Sequence, residues 1–144
     1  MIKKIIIPVD GSELSESAIP KAFEIAGRSP EHTLVVFRDT ELPVDSPVIS
    51  PANLAPARDE EYCKIEAYLA SVRERFADLG TQLETKIADV DEGIAETIIR
   101  ESEKERADFI AMTTHGRTGL NRLFFGSVAE RVLRLAPCSV LLVR

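Results

Sequence analysis

Apolar residues in this chain come in two kinds of run, and the two kinds alternate. Short, continuous, β-branched runs predict strands covered on both faces. They are Lys4-Ile5-Ile6-Ile7-Pro8-Val9, Thr33-Leu34-Val35-Val36-Phe37, Ala107-Asp108-Phe109-Ile110-Ala111-Met112 and Ser139-Val140-Leu141-Leu142-Val143. Leu83, Thr85 and Ile87 instead alternate with Gln82, Glu84 and Lys86. That period of two predicts a strand with one wetter face, at a sheet edge.

Between the strands, apolar positions recur at helical spacing. Leu14, Ala18, Ala22, Ile25 and Ala26 share one stripe of a helix capped by Ser12 and ended by Gly27. Pro20 removes the donor that would bond to Glu16, so a kink is expected there. Ile65, Leu69, Val72, Phe76 and Leu79 mark the clearest helix, closed by Gly80. Ile94, Ile98 and Ile99 mark another, begun by Asp91-Glu92-Gly93. Val128, Val132 and Leu135 mark the last, with Ser127-Val128-Ala129-Glu130 read as a capping box and Pro137 as the stop. Leu42 to Pro56 carries Pro43, Pro47, Pro51 and Pro56 and reads as a long irregular loop.

Strand and helix thus alternate from end to end. This predicts a single α/β domain over 1–144: a five-stranded parallel sheet with right-handed crossovers and helices on both faces. In the order 3-2-1-4-5, ligands sit beyond the C-terminal strand ends, between the first and fourth strands. Two unusual loops fall there, Pro8 to Ser12 and Thr113 to Gly119. Gly116-Arg117-Thr118-Gly119 is followed by Gly126-Ser127 at the start of a helix. Glycine amides turn readily toward an anion, and a helix N-terminus favours a phosphate. Turn glycines with a capped helix are the plainer alternative.

Composition narrows the partners. A formal net charge of −6 argues against general binding to nucleic acid or acidic membranes. Cys63 and Cys138 have no metal-binding spacing and read as reduced thiols. No signal peptide is legible before Pro8, and no apolar stretch reaches membrane-spanning length, so the expected compartment is the cytoplasm. There is no hydrolase elbow, Walker motif or dinucleotide fingerprint.

At this point the residues resemble a family. Ile5-Ile6-Ile7-Pro8-Val9-Asp10-Gly11-Ser12, Thr114-His115-Gly116-Arg117-Thr118-Gly119, Gly126-Ser127-Val128-Ala129-Glu130-Arg131-Val132 and Ala136-Pro137-Cys138-Ser139-Val140 resemble the small universal stress proteins. The resemblance implies a Rossmann-like sheet of the adenine nucleotide alpha hydrolase kind. Members that bind ATP carry Gly-x2-Gly-x9-Gly-Ser/Thr. Gly116, Gly126 and Ser127 match the longer part, and Thr113 replaces the first glycine.

Carried onto this chain, the resemblance implies ATP with Mg2+. Pro8 and Val9 would line the base pocket, with Asp10 near adenine or ribose. Arg38 stands where the family makes a backbone contact to adenine. Thr113, Thr114, His115, Gly116, Arg117, Thr118 and Gly119 would wrap ribose and phosphates, with Met112 also among the nucleotide-binding residues. Gly126, Ser127, Val128 and Ala129 would hold the phosphates. Each has a plainer role open to it: Asp10 in a turn with Gly11, Ser127 as a helix cap, Arg117 and Arg122 as solvated charges, His115 as a loop hydrogen-bonder. Three functions follow: an ATP-binding regulator of the stress response, a dimeric scaffold whose site Thr113 has emptied, and an enzyme capable at most of slow ATP hydrolysis through a water ordered by Asp10 or His115. A homodimer through the edge strand Val140–Val143 is expected, and an unidentified protein partner.

Overall fold

In the computed structural model, which describes residues 2–27, 31–40, 49–79, 81–114 and 126–144, five parallel strands form one sheet in the order β3-β2-β1-β4-β5. The strands are β1 (Lys4–Pro8), β2 (Thr33–Asp39), β3 (Gln82–Ala88), β4 (Phe109–Thr113) and β5 (Ser139–Val143). The helices are α1 (Glu13–Glu16), α2 (Ala18–Ala26), α3 (Pro51–Arg75), α4 (Ile94–Lys104) and α5 (Ser127–Leu135). β1 pairs with β2 from Lys4 opposite Thr33 to Pro8 opposite Phe37, and with β4 through Ile5 and Ile6.

Alternation along the central strands divides the core into two layers. Ile5, Ile7, Leu34 and Val36 pack with Ala18, Ile19 and Ala22 of α2 and with Ile65, Leu69 and Val72 of α3. Ile6, Val35, Phe37, Ile110 and Met112 pack on the other face with Ala95 and Ile98 of α4 and Ala129 and Val132 of α5. The continuous apolar runs are explained by this double coverage. β3, at the edge, keeps its alternation: Gln82 and Glu84 are exposed, and Leu83 and Thr85 half-buried.

Several local expectations are corrected. The first helix breaks at Ser17 rather than kinking at Pro20. The Ser17 N–H donates to the Glu13 and Leu14 carbonyls, and Pro20 falls in the first turn of α2, where a missing donor costs nothing. An unbroken stripe is thereby lost: Leu14 and Ile25 are exposed, and Ile19 is buried instead.

Residues 51–56, expected in a loop, open α3. Pro51 occupies the start of the helix, where its fixed φ fits. Pro56 is accommodated one turn later, at the loss of one helical hydrogen bond. Residues 42–48 of that expected loop lie outside the described residues, as does Gly80; α3 already ends at Arg75, before a short 3-10 turn at Ala77–Leu79. β4 starts at Phe109, two residues later than expected, because the Asp108 carboxylate is taken up by the Lys3 and Lys4 amides at 2.7 and 2.9 Å. Gly93 caps α4, leaving Ile94 exposed in its first turn. Leu135 of α5 is likewise exposed, and Ala129 and Val132 carry the contact.

A charged lattice ties α4 to the sheet. Lys86 lies 2.6 Å from Glu105 and 3.1 Å from Glu101, and Lys4 lies 2.8 Å from Glu105. Hydrogen bonds from Lys4 and Lys86 hold the Glu105 carboxyl below the usual glutamate range. Burial would raise Glu101, but Lys104 and Lys86 outweigh it and hold that group low as well. A carboxyl depressed in the folded state contributes stability above its unfolded pKa and loses it as pH falls through the folded value. The urea midpoint should therefore drop between neutral pH and about pH 3. Glu105→Gln should flatten that drop; an unchanged pH profile in the variant would count against the lattice.

Candidate functional site

The strand order reverses between β1 and β4, so the loops that follow them leave in opposite directions. A cavity of about 430 Å³ opens at this point, within the usual range for small-molecule sites. It runs from the N-terminus of α5 across the ends of β4 and β1 to the end of β2. One wall is apolar, built from Val9, Ile94, Ile98, Met112, Val128 and Ala129. Polar groups converge on it from Asp10, Ser15, Arg38, Asp39, Thr113, Thr114 and Ser127.

The loop after β1 is a capped turn. Gly11 has φ of 86°, a conformation that glycine adopts without strain. The Asp10 carboxylate accepts from the Ser12 N–H at 2.9 Å and from its hydroxyl at 2.5 Å. Ser12 in turn caps α1, accepting from the Ser15 N–H at 3.1 Å. The Asp10 N–H donates to Ser15 Oγ at 3.2 Å. Asp10 therefore serves the turn and lines the cavity at once. The turn role offered by the sequence is thus observed, and the residue also stands on the cavity wall.

The start of α5 differs from expectation in two ways. Gly126, not Ser127, is the cap residue, and no side chain caps the helix. The capping box is thus absent, and Ser127 begins the helix proper with an exposed side chain on the cavity wall. The Gly126 N–H, expected on a phosphate, instead donates to the Thr114 carbonyl at 2.9 Å. The Thr114 N–H is committed too, to the Val143 carbonyl at 3.1 Å. Gly126 suits this crossing: a Cβ there would lie 3.3 Å from the Thr114 oxygen, close enough that the backbone would have to give. What remains for a ligand is the first turn itself. Ser127, Val128 and Ala129 line the cavity, and helix geometry gives their amides no intrahelical acceptor. The positive end of the helix dipole lies at the same place.

Of the site residues read from sequence, Pro8, Val9, Asp10, Arg38, Met112, Thr113, Thr114, Gly126, Ser127, Val128 and Ala129 are brought together around this cavity. His115, Gly116, Arg117, Thr118 and Gly119 lie outside the described residues, as does Arg122. Ser15, Asp39, Ile94 and Ile98 also line the cavity and were missed. Only Ile94 left a trace in the sequence, as an apolar residue directly after Asp91-Glu92-Gly93. Among the described residues no group of three or more histidine, cysteine or acidic side chains is placed to hold a metal ion. No helix among them is long and apolar enough to cross a membrane.

The model of the universal stress protein family matches residues 1–144. The chain belongs to that family. A universal stress protein of Methanocaldococcus jannaschii is 37% identical over 147 residues, spanning 100% of this chain and 83% of that protein. The universal stress protein UspA of Lactobacillus plantarum superposes with a TM-score of 0.80 at 24% identity, over 99% of this chain and 98% of that one. An Arabidopsis thaliana family protein, solved with AMP bound, gives a TM-score of 0.67 at 18% identity, over 98% and 90% of the two chains. At those identities the two structures establish the shared fold.

The two loop devices separate in a stability experiment. Asp10→Ala removes the acceptor for two Ser12 donors and should cost about 1–2 kcal/mol in urea unfolding. Ser127→Ala should cost well under the roughly 1 kcal/mol lost when a true capping serine is removed. A large loss in Ser127→Ala would restore the capping box.

Proposed function

We propose that this universal stress protein binds an adenine nucleotide, ATP with Mg2+ in the leading reading, and that occupancy biases a partner surface. The single observation that carries the reading is the first turn of α5, whose amides and dipole end open onto the cavity. Phosphate would sit against Ser127, Val128 and Ala129, with the Ser127 hydroxyl beside it. Base and ribose would lie along the apolar wall of Val9, Met112, Ile94 and Ile98. Two carboxylates stand on the cavity wall, Asp10 after β1 and Asp39 at the end of β2, and Asp10 follows the strand nearer α5. Mg2+ on a triphosphate takes most of its ligands from phosphate and water, so one such carboxylate would suffice. The AMP held by the Arabidopsis relative is of the same chemical class. Thr113 does not fill the cavity, which keeps its volume beside it. That favours the binding reading over the empty scaffold.

The same reading includes a homodimer. β5 lies at the sheet edge with Val140, Leu141 and Leu142 half-buried, an apolar edge suited to pairing with a second copy. Light scattering at micromolar concentration should give twice the chain mass; a monomer mass would remove this part.

Calorimetric titration with MgATP and AMP tests the site, alongside chromatography of nucleotide released on denaturation. Ser127→Pro is the informative variant. Gly126 has φ of −60° and ψ of 154°, which suits a residue before proline, and proline is at home in the first helical position. The variant deletes one amide donor and the hydroxyl while keeping the helix. Affinity should fall by roughly 10–100-fold, the worth of one hydrogen bond to a charged group. Ser127→Ala should lose less. No released nucleotide and no heat of binding at millimolar ligand would point to the scaffold instead.

A further inference from the structure

β3 forms the sheet edge opposite β5. Its inner side is committed to β2 and the residues that flank it. The Gln82 N–H donates to the His32 carbonyl at 3.2 Å, and the Ala88 carbonyl accepts from the Thr40 N–H at 2.9 Å. Backbone groups alternate sides along a strand. Gln82, Glu84, Lys86 and Ala88 therefore bond inward, and the amides and carbonyls of Leu83, Thr85 and Ile87 point outward. Side chains divide in the same rhythm. Leu83 and Ile87 pack on the α3 face, and Lys86 reaches Glu101 and Glu105 on the α4 face. Beside the strand runs a groove of about 620 Å³, lined on the helix by Glu66, Leu69, Ala70 and Arg73 and on the strand by Thr85 and Ile87.

We propose that this edge pairs with the same edge of a second copy, antiparallel about a two-fold axis at Thr85. The segment Leu83-Glu84-Thr85-Lys86-Ile87 is complementary to its own reverse. In that register Thr85 meets Thr85, Leu83 meets Ile87, and Glu84 meets Lys86 of the second copy. The outward groups fall in the hydrogen-bonded pairs. Glu84 and Lys86 fall in the closer, non-hydrogen-bonded pairs, where opposite charges attract. Moving the axis by one residue sets Glu84 against Glu84 or Lys86 against Lys86, which is unfavourable. Charges on a sheet edge ordinarily guard it against pairing. In this order they select one register instead. Lys86 is already shared by Glu101 and Glu105, so the charges choose the register and the backbone bonds carry the association.

α3 repeats the pattern. Tyr62 bonds to Asp89, just past the end of β3, so α3 runs against the strand. A strand rise of about 3.3 Å against a helix rise of about 1.5 Å then brings Ala70 abreast of Thr85. Glu66 and Arg73, both exposed, stand on either side of Ala70 along the groove. Each would face its opposite on the antiparallel α3 of the second copy. Five paired residues make a small contact, so the association is weak and depends on concentration.

The test is sedimentation equilibrium of the whole chain from about 10 μM to about 1 mM. Whatever mass is found at the lower end should double toward the upper end. Thr85→Pro removes an outward amide and no bond within the sheet, a change that edge strands tolerate. It should hold the low-concentration mass throughout. Thr85→Val keeps the amide and should associate as the unaltered protein does. Glu84→Lys sets a like charge against Lys86 of the second copy and should also stay at low mass. That variant keeps the test open if circular dichroism shows Thr85→Pro unfolded. A mass independent of concentration would overturn the proposal and leave the edge to an extended segment of another protein. Undiminished association in Thr85→Pro would overturn it too, by placing the contact elsewhere, β5 included. Undiminished association in Glu84→Lys would overturn the register.

Discussion

The hydrogen bond from the Gly126 N–H to the Thr114 carbonyl fixes where the site can be. It closes the chain between the end of β4 and the start of α5. The Thr114 N–H, bonded to the Val143 carbonyl, anchors the same point to β5. The first turn of α5 is therefore aimed from a crossing stitched to the sheet on two sides. The cost is specific: the amide and the carbonyl that make the stitch are unavailable to a ligand. A site built here must draw its anion donors from one turn further on, at Ser127 to Ala129. It also explains the glycine. At a φ of −60° position 126 needs no special backbone freedom, but its neighbour's oxygen leaves little room for a side chain.

The sheet supplies the rest by division of labour between its faces. One face carries α2 and α3, the other α4 and α5. The cavity takes something from both, because it lies at the strand ends rather than over either face. Met112, Ile98 and Ala129 extend the α4–α5 layer of the core into the apolar wall. Arg38 belongs to the opposite layer and brings with it the Tyr68, Glu16 and Arg75 contacts. A ligand spanning the cavity would touch both packing units. That gives occupancy a physical route to bias their relative arrangement.

The strands and their order were legible because coverage on both faces forces long β-branched runs, and regular alternation leaves few topologies. Helix boundaries were less so. Pro51 and Pro56 read as breakers, yet one sits where a helix tolerates proline and the other one turn in. Ser127 has the residue type and the Glu130 spacing of a cap, but the chain crossing at Gly126 moves the cap back by one residue. Around the site, the loop after β1 and the α5 start announced themselves through glycine, aspartate and serine. Ile98 and Asp39 did not, because they reach the cavity only through the packing of α4 and the length of β2. The Arg38–Tyr68 contact joins two elements that no local pattern connects.

Thr113 is where the chain departs most from the nucleotide-binding pattern of its family, and its place in β4 bears on what the change does. Alternation puts Ala111 in the α2–α3 layer and Met112 in the α4–α5 layer. Thr113 follows Ala111, so its side chain is directed toward α1 and α2, away from the wall formed by Met112, Ile98 and Ala129. It stands on the side of Asp10 and Ser15. The anion donors of α5 lie beyond Thr114 and Gly126, held by bonds that the backbone alone makes. A Cβ at position 113 can narrow that side of the cavity without touching those donors. The change is thus confined to the Asp10 side of the cavity, and the α5 end stands independently of it.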